Sequence, residues 1–577
     1  MNIYIDLFNN LNCNFNKKIL YITPELGIDD NKINYAGGLG ILAGDFVRTV
    51  NKMGFKLYAF CLKYKKAYSI QNFDDKFNQN SLIEDLNYNE YHQILHNNLL
   101  NREYLVIKIN DDELYCKLYK NDFGNVQIFL LEYSHNSKNT IFNITDFLYD
   151  GSRKNRLLQE IILGQGAIKA AKLLDLDYDI LHINEGHAAF AFIERINQTI
   201  DSNLLNFDDA ISRISDTNCF TTHTPVIHGN EEFDIELIKN ILNNSELLRH
   251  ITLEKFLEFG KFKSKNIFSM TALSIALSKK INAVSKLHSK VSNKIWKPIR
   301  KSKKIIPITN GIDIEYWMND EFKNLLKQNP NVSAKKLFQL KHEIKNKYIK
   351  ILIDNKFFNN SKPLLELFQD VEIDNNSIIV GFARRFAPYK RADLLFKNIE
   401  SFLYLINNYN IIFLFSGKAH PDDADGQKII TNILQIIKKY KINKQVIFIE
   451  NYNIKIAKIL FNVSDIWLNT PIRKLEACGT SGMKAALNGC VNFSVLDGWW
   501  DETYRKSIGF KIYNRNINKI DDLDLSKIIH NQFIKDLIPK YYDKLYWSKL
   551  IYNGFNLILN KFSSHRMVLE YINLLYK

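Results

Sequence analysis

Short apolar runs alternate with stretches of helical periodicity along most of the chain. Residues 18–23, 178–183 and 377–382 are apolar runs of strand length, each followed by a turn or by polar residues. Residues 156–174 carry apolar side chains at the spacing of an amphipathic helix, and a second helix is predicted within 37–50. Strands that alternate with helices in this way predict an α/β fold with parallel strands.

The pattern restarts after about residue 310, which predicts two α/β domains. Residues 305–308 form a strand pattern that ends in a turn, and a charged, asparagine-rich stretch separates it from the next strand at 377. Residues 60–150 alternate apolar and polar side chains and are interpreted as a β-rich elaboration of the first domain. We place the domains at 1–309 and 310–539, followed by core-type helices over 540–577.

Composition agrees with a large globular protein. The chain has 577 residues, of which 46% are hydrophobic, so it can build more than one core. The net charge of +15 comes from scattered lysines without a long basic run, which indicates a solvated surface and not a nucleic-acid partner. No apolar stretch reaches the length of a membrane span, the first 18 residues lack the pattern expected of a secretory signal, and the six cysteines, including Cys13, lack paired spacing. These features predict a cytoplasmic protein with reduced thiols and no membrane partner.

Two glycine-rich turns precede predicted helices. The pattern Gly38-x-Gly40-x-x-Ala43 matches a dinucleotide fingerprint, but the acidic residue expected about 20 positions later is missing. The second turn, 478–482, leads into a helix that carries Lys484. Backbone N–H groups at a helix start can bind an anion, and a lysine there can pair with a phosphate or form an imine with an aldehyde. A simple packing turn with a surface lysine is the alternative.

A cluster of cations follows the strand at 377–382. Residues 384–391 include four arginines and lysines around one tyrosine and one proline. Crowding these charges is costly unless an anion is present, and arginine forks with a lysine point charge suit one or two phosphate groups.

Several other chemistries are excluded by spacing. The histidines at 182, 187, 223 and 228 lack zinc-ligand spacing, so no metal is predicted. The acidic run 422–426 lacks the first and last ligands of a calcium loop, and residues 479–482 fail the G-x-S-x-G pattern of a hydrolase nucleophile.

Taken together, six segments resemble the α-glucan phosphorylases in family order. They are GGLG at 37–40, NEGH at 184–187, TTHTP at 221–225, TNGI at 309–312, RRFAPYKR at 384–391 and EACGTSGMK at 476–484. Lys484 stands eight residues after Glu476, the spacing of the family's cofactor lysine. The chain differs from the usual family pattern at Glu185 (usually Asp), Pro388 (Glu) and Cys478 (Ser).

The resemblance implies a fold and a set of site residues. The fold is α/β with two Rossmann-like domains facing a cleft, of the GT-B glycosyltransferase type, whose C-terminal helices cross back to the first domain. The implied catalytic residues are Arg385, Lys390, His223 and Glu476. The implied cofactor-binding residues are Lys484, Thr480, Ser481, Arg384 and Gly38. The implied substrate-binding residues are Gly37, Leu39, Glu185, His187, Asn310, Tyr389, Cys478 and Gly479.

The implied reaction is reversible phosphorolysis of an α-1,4-glucan to α-glucose 1-phosphate, with retention. Pyridoxal 5′-phosphate is the implied cofactor, its phosphate acting as a proton shuttle beside inorganic phosphate. The partners are then glucan, inorganic phosphate and glucose 1-phosphate, and a homodimer is common in the family. Two alternatives stay open: a sugar-nucleotide-dependent glycogen or starch synthase, and a catalytically silent glucan-binding protein.

Overall fold

The computed structural model describes residues 15–28, 34–94, 103–138, 143–226, 229–262, 264–354, 361–512 and 517–577. The chain divides into two compact units. The N-terminal unit holds the described parts of Asn12–Ala67, Asp85–Thr309 and Ser564–Lys577. The C-terminal unit holds Tyr68–Glu84 and the described part of Asn310–Ser563.

The N-terminal unit is built on a ten-stranded sheet. Seven strands are parallel, and numbered along the chain they lie in the spatial order 3-2-1-4-5-6-7. In chain order they are Ile19–Ile22, Leu57–Leu62, Val126–Asn136, Ile180–Asn184, Asn218–Thr222, Lys280–Ala283 and Ile305–Pro307. The antiparallel strands Asp112–Phe123, Leu105–Ile109 and His92–Gln93 extend the sheet beyond the third strand. The predicted β-rich elaboration therefore includes one strand of the parallel core.

Both faces of this sheet are covered. Leu20 and Ile22 enter one apolar cluster, whereas Ile19 and Tyr21 enter another, because successive side chains of a strand point to opposite faces. The covering helices are Gly38–Lys52, Arg153–Ile161, Ala167–Leu173, Phe190–Asn203, Phe207–Ile214, Ile235–Leu242, Leu253–Gly260, Met270–Leu277, Lys286–Ile295, Lys297–Arg300 and Ser564–Tyr571. A π-helical turn, Ile162–Gly166, joins two of them where one continuous helix is predicted. A small sheet of Glu232–Asp234, Lys261–Phe262 and Ser264–Ser269 completes the unit.

The C-terminal end of the chain is part of this N-terminal unit. The helix Ser564–Tyr571 packs against Gly38–Lys52, and Ser564 Oγ lies 2.5 Å from Thr49 Oγ1. Beyond it, the hydroxyl of Tyr576 lies 2.6 Å from Nδ1 of the buried His182. The preceding helix Lys544–Lys561 belongs to the C-terminal unit, so the change of unit falls between Ser563 and Ser564 and not at the predicted residue 540.

The C-terminal unit contains a six-stranded parallel sheet. In chain order its strands are Ile378–Ala383, Ile411–Ser416, Val446–Ile449, Ile466–Asn469, Val491–Val495 and Gly509–Ile512. They lie in the spatial order 3-2-1-4-5-6, which is a doubly wound topology. Ligands of such sheets bind at the carboxyl ends of strands 1 and 4, where the strand order reverses.

Twelve helices belong to the described part of this unit: Ile314–Trp317, Asp320–Gln328, Ala334–Asp354, Lys362–Phe368, Ile399–Asn408, Ala424–Tyr440, Ile454–Val463, Ser481–Leu487, Gly498–Thr503, Asp522–Gln532, Ile538–Tyr542 and Lys544–Lys561. The hairpin Lys66–Phe73/Gln79–Asp85 is held in the unit by two glutamines. Gln71 Nε2 donates to the carbonyl of Gly417, and Gln79 Nε2 donates to that of Ala419. This association of residues 68–84 is not signalled by the sequence pattern.

Two further features bear on the sequence predictions. No helix in the described residues is both long and apolar enough for a bilayer span. The cysteines that the structure describes are buried thiols with no disulfide among them. Cys13 and His228 lie outside the described residues.

Candidate active site

The two central strands of the C-terminal unit deliver polar side chains to one place. Arg384 follows directly on the strand Ile378–Ala383, and Asn469 is the last residue of the neighbouring strand Ile466–Asn469. The Arg384 guanidinium donates to Asn469 Oδ1 at 2.6 Å. This is the edge at which a doubly wound sheet binds ligands.

Glu476 joins this cluster from a later loop. Its carboxylate accepts from Arg384 Nη1 at 3.2 Å and from the ammonium of Lys390. The two cations are buried, and only 13% of the Glu476 side chain is exposed. Burial raises the pKa of Glu476, but the charges of Lys390 and Arg384 outweigh it and hold that pKa below its usual value. Glu476 is thus an anion held between two cations.

The predicted cofactor segment lies beside the same cluster. Ser481 begins the helix Ser481–Leu487, and its hydroxyl accepts from Arg384 Nη2 and from Trp467 Nε1, each at 3.3 Å. Lys484 lies one turn further along and is only 6% exposed. Its ammonium lies 3.7 Å from the ring centroid of Trp317, a cation–π contact. The helix that carries the buried amine of Lys484 therefore begins at a hydroxyl bound to the Arg384 guanidinium.

Other predicted residues of this unit differ in their burial. Arg385 is exposed, Tyr389 is half-buried with Lys390 Nζ 4.5 Å above its ring, and Asn310 is buried. Gly479 has φ +81°, a conformation that favours glycine, and it follows the buried Cys478. Thr480 precedes the helix and accepts the N–H groups of residues 483 and 484. Arg391, the last cation of the run, binds the carbonyls of residues 470 and 471, which is a structural role.

In the N-terminal unit, the first glycine-rich turn is already bound by a carboxylate. Glu25 Oε2 accepts from the backbone N–H groups of Ala36, Gly37 and Gly40 at 2.8, 3.2 and 3.3 Å. A Cβ atom added at Gly40 would lie 2.8 Å from the Cβ of Glu25, whereas one added at Gly38 would meet no atom within 4 Å. Three N–H groups of this turn thus bind a carboxylate of the protein itself, and ligand binding by Gly37, Gly38 and Leu39 stays a prediction.

A second network holds His223. Its Nε2 lies 2.5 Å from Asn184 Oδ1, and its backbone N–H donates to Glu185 Oε1 at 2.6 Å. Glu185 has φ +73°, which is strained for a residue with a side chain, and it also accepts from Thr224 Oγ1 at 2.8 Å. Burial lowers the pKa of His223 to about 3, so the imidazole is neutral. In the structure, Glu185 positions the histidine segment.

His187 belongs to a buried ionic cluster. Its Nε2 lies 3.4 Å from Glu231 Oε2 and 3.3 Å from Arg156 Nη2. Glu231 pairs with both Arg156 and Arg153. The carboxylate of Glu160 lies within the cluster and has no hydrogen-bond partner among the residues that the structure describes. Glu160, His187 and Glu231 place ligand-type atoms within 4.8 Å of one another, but both oxygens of Glu231 face guanidinium groups, which disfavours a metal cation here.

Glu160→Gln is expected to raise the free energy of unfolding by about 1 kcal/mol at pH 8. Burial, then the charge of Glu231, raises the Glu160 pKa well above its usual value. An ionised Glu160 therefore weakens folding, and wild-type stability falls as the pH rises from about 4.3, the unfolded value, through the folded pKa. Urea unfolding at pH 5 and pH 8 measures this, and an equal gain at both values would contradict it.

Glu231→Gln is expected to have the opposite effect: the free energy of unfolding should fall by about 3 kcal/mol at pH 7, because a buried arginine loses its carboxylate partner. Burial raises the Glu231 pKa, but His187, Arg156 and Arg153 together lower it further. The stabilisation is present above about pH 4.3 and is lost as the pH falls through the folded pKa, so the variant and wild type converge in acid. Glu236→Gln removes an exposed pair with Lys239 and serves as the control.

Comparisons with known proteins agree with this geometry. A family model described as carbohydrate phosphorylase matches residues 158–507, and one described as starch synthase catalytic domain matches residues 18–291. The chain is 33% identical to the maltodextrin phosphorylase of Thermococcus litoralis over 97% of this chain and 70% of that protein. It is 29% identical to the glycogen phosphorylase of Aquifex aeolicus over 97% of this chain and 86% of that protein. The identity to the glycogen phosphorylase of Mycobacterium tuberculosis is also 29%, over 97% of this chain and 70% of that protein.

The residues that sequence reasoning missed are partners of those it found. They are Glu25, Asn184, Trp317 and Asn469. Asn184 and Asn469 carried a readable signal, since each is the last residue of a buried strand, Ile180–Asn184 and Ile466–Asn469. The phosphorylase match includes Arg384, Lys390, Glu476 and Lys484 and extends over more than half of the chain. The chain therefore belongs to the carbohydrate phosphorylase family.

Proposed function

We propose that this protein is an α-glucan phosphorylase. It transfers the terminal glucosyl group of an α-1,4-glucan to inorganic phosphate, giving α-glucose 1-phosphate with retention, and it also catalyses the reverse reaction. The observation that carries this proposal is the buried cluster of Arg384, Lys390 and Glu476, which contacts Ser481 at the start of the helix that carries the buried Lys484. The two doubly wound units are those expected of a GT-B type fold.

Arg384 and Lys390 supply cations for two phosphate groups, Arg384 for the cofactor phosphate and Lys390 for the substrate phosphate. Both are buried and both contact one carboxylate, so an oxyanion of similar size can take the same donors. Each charge-assisted contact is worth about 1.5–3 kcal/mol. Arg385, exposed at the same strand end, adds a third cation for substrate phosphate.

The residues present fit pyridoxal 5′-phosphate. Lys484 is a buried primary amine whose contact with the Trp317 ring fixes its position. Arg384 and Ser481 would hold the cofactor phosphate, one turn before the lysine. When bound, the cofactor supplies a phosphate group that gives and takes a proton beside the substrate phosphate.

Among the described residues, Glu476 is the carboxyl group that contacts Arg384 and Lys390. A retaining glycosidase needs one carboxyl group as acid and another as nucleophile, whereas Glu476 is paired with two cations and is a poor proton donor. In our proposal, Glu476 instead accepts hydrogen bonds from sugar hydroxyls. The other proposed sugar contacts of this unit are Tyr389, Asn310, Cys478 and Gly479. In the N-terminal unit, His223 and His187 are the proposed sugar contacts, and Gly37, Gly38 and Leu39 line the glycine-rich turn.

A sugar-nucleotide-dependent synthase is the second candidate. The match of residues 18–291 to the starch synthase domain favours it. That match ends before the segments that carry Arg384 and Lys484, so it does not account for the buried lysine.

One experiment separates the two functions. The purified protein, supplied with pyridoxal 5′-phosphate, is incubated with maltodextrin and inorganic phosphate, and glucose 1-phosphate is measured. We expect phosphate-dependent release and no transfer from ADP-glucose or UDP-glucose. Transfer from a sugar nucleotide without phosphorolysis would establish the synthase, and inactivity in both assays would indicate a silent glucan-binding protein.

A further inference from the structure

Asp497 is a buried carboxylate that binds the loop carrying Glu476. It follows the strand Val491–Val495 and is only 3% exposed. Its Oδ2 accepts from the backbone N–H groups of Lys474 and Glu476 at 2.9 and 3.0 Å. Its Oδ1 accepts from the N–H of Gly498 at 2.9 Å. One side chain thus joins two backbone segments.

The loop needs this support because its backbone is irregular. Lys474 has φ +78°, outside the range that a residue with a side chain prefers. On the other segment, Gly498 has φ +50°, and a Cβ there would lie 2.2 Å from the carbonyl oxygen of Cys478. The two segments therefore approach closely on either side of Glu476, with the Asp497 carboxylate between them.

We propose that Asp497 is the positioning residue of the anion site. By fixing the backbone N–H of Glu476, it holds the Glu476 carboxylate on Lys390 and Arg384. An asparagine cannot replace it, because one of its two oxygens becomes an NH₂ group that faces backbone donors. The proposal deepens the proposed function, since it rests on Lys390 and Arg384 being the phosphate donors.

Positioning of Glu476 has a consequence for anion affinity. Glu476 and an incoming oxyanion use the same two cations, so a firmly held Glu476 competes with the anion. Releasing the loop weakens this competition. Loss of Asp497 should therefore tighten anion binding while it impairs turnover, whereas general damage to the site would weaken both.

The test is calorimetric titration of the full-length protein with sulfate, which stays doubly charged throughout the neutral pH range. We expect Asp497→Asn and Glu476→Gln each to bind sulfate roughly tenfold more tightly than wild type, the equivalent of one charge-assisted contact. The double variant should bind no more tightly than Glu476→Gln alone, because Asp497 acts through Glu476. Asp501→Asn is the matched control. Asp501 lies four residues after Asp497 and pairs with Arg473, so the sulfate affinity of this variant should stay at the wild-type value.

Unchanged or weaker sulfate binding in a folded Asp497→Asn variant would overturn the proposal, as would additive effects in the double variant. If Asp497→Asn does not fold, Asp497→Glu gives the same information, since its carboxylate is displaced by one methylene group. Phosphorolysis by wild type with no sulfate response would refute the positioning role alone. The expected sulfate response without phosphorolysis would refute the proposed function and leave the positioning role intact.

Discussion

Lys484→Arg is expected to lower phosphorolysis by roughly 10³-fold or more, the scale of losing an essential group. Arginine keeps the positive charge and the contact with the Trp317 ring, but it lacks the primary amine that the cofactor aldehyde requires. The fold should be retained, because the charge and most of the buried stem are unchanged. Phosphorolysis rates, together with the absorbance of the purified variant above 300 nm, measure the effect.

Lys458→Arg is the matched control for this substitution. Lys458 also lies near the Trp317 ring: its ammonium is 5.8 Å from the centroid of that ring and 3.9 Å from the centroid of the neighbouring Tyr316 ring. Its arginine variant should keep wild-type activity and absorbance. If the Lys484→Arg variant kept wild-type activity, the primary amine of Lys484 would play no part in the reaction.

Lys390→Ala is expected to reduce kcat/KM for phosphate by about 10²–10³-fold, the usual cost of removing one donor to a developing anion. The ammonium contacts Glu476 and is buried, so its removal also leaves that carboxylate with a single cation. KM for phosphate should rise more than KM for maltodextrin. Initial rates with either substrate varied separate the two constants.

Lys397→Ala is the control for Lys390→Ala. Lys397 lies seven residues further along, and its side chain is 43% exposed and pairs with Asp393. Its replacement should change neither constant, since exposed pairs contribute little. A Lys390→Ala variant with an unaltered KM for phosphate would exclude Lys390 from the anion site.

The positions of the candidate site residues could be predicted best where those residues lie at strand ends. Apolar runs located the strands Ile19–Ile22 and Ile378–Ala383 to within one residue, and the cations after the second of these could be read directly. Family spacing then indicated Glu476, which pairs with Arg384 although 92 residues separate them. Such a contact depends on the order of strands in the sheet, which local periodicity does not encode.

Other contacts could not be predicted, because they join residues that are distant in the sequence and that only the fold brings together. Glu25 binds the first glycine-rich turn, and nothing in its surroundings distinguishes it from a surface acid. The hairpin over residues 68–84 belongs to the C-terminal unit because Gln71 and Gln79 bind backbone groups more than 300 residues away. The helix Lys544–Lys561 packs on Ala334–Asp354, so the terminal helices do not all join one unit.

Borohydride reduction of the purified protein with bound pyridoxal 5′-phosphate, followed by peptide mapping, tests the central claim most directly. The account predicts a phosphopyridoxyl label on the peptide that contains Lys484 and on no other peptide. A label confined to a different lysine, or none in a protein that releases glucose 1-phosphate, would contradict it.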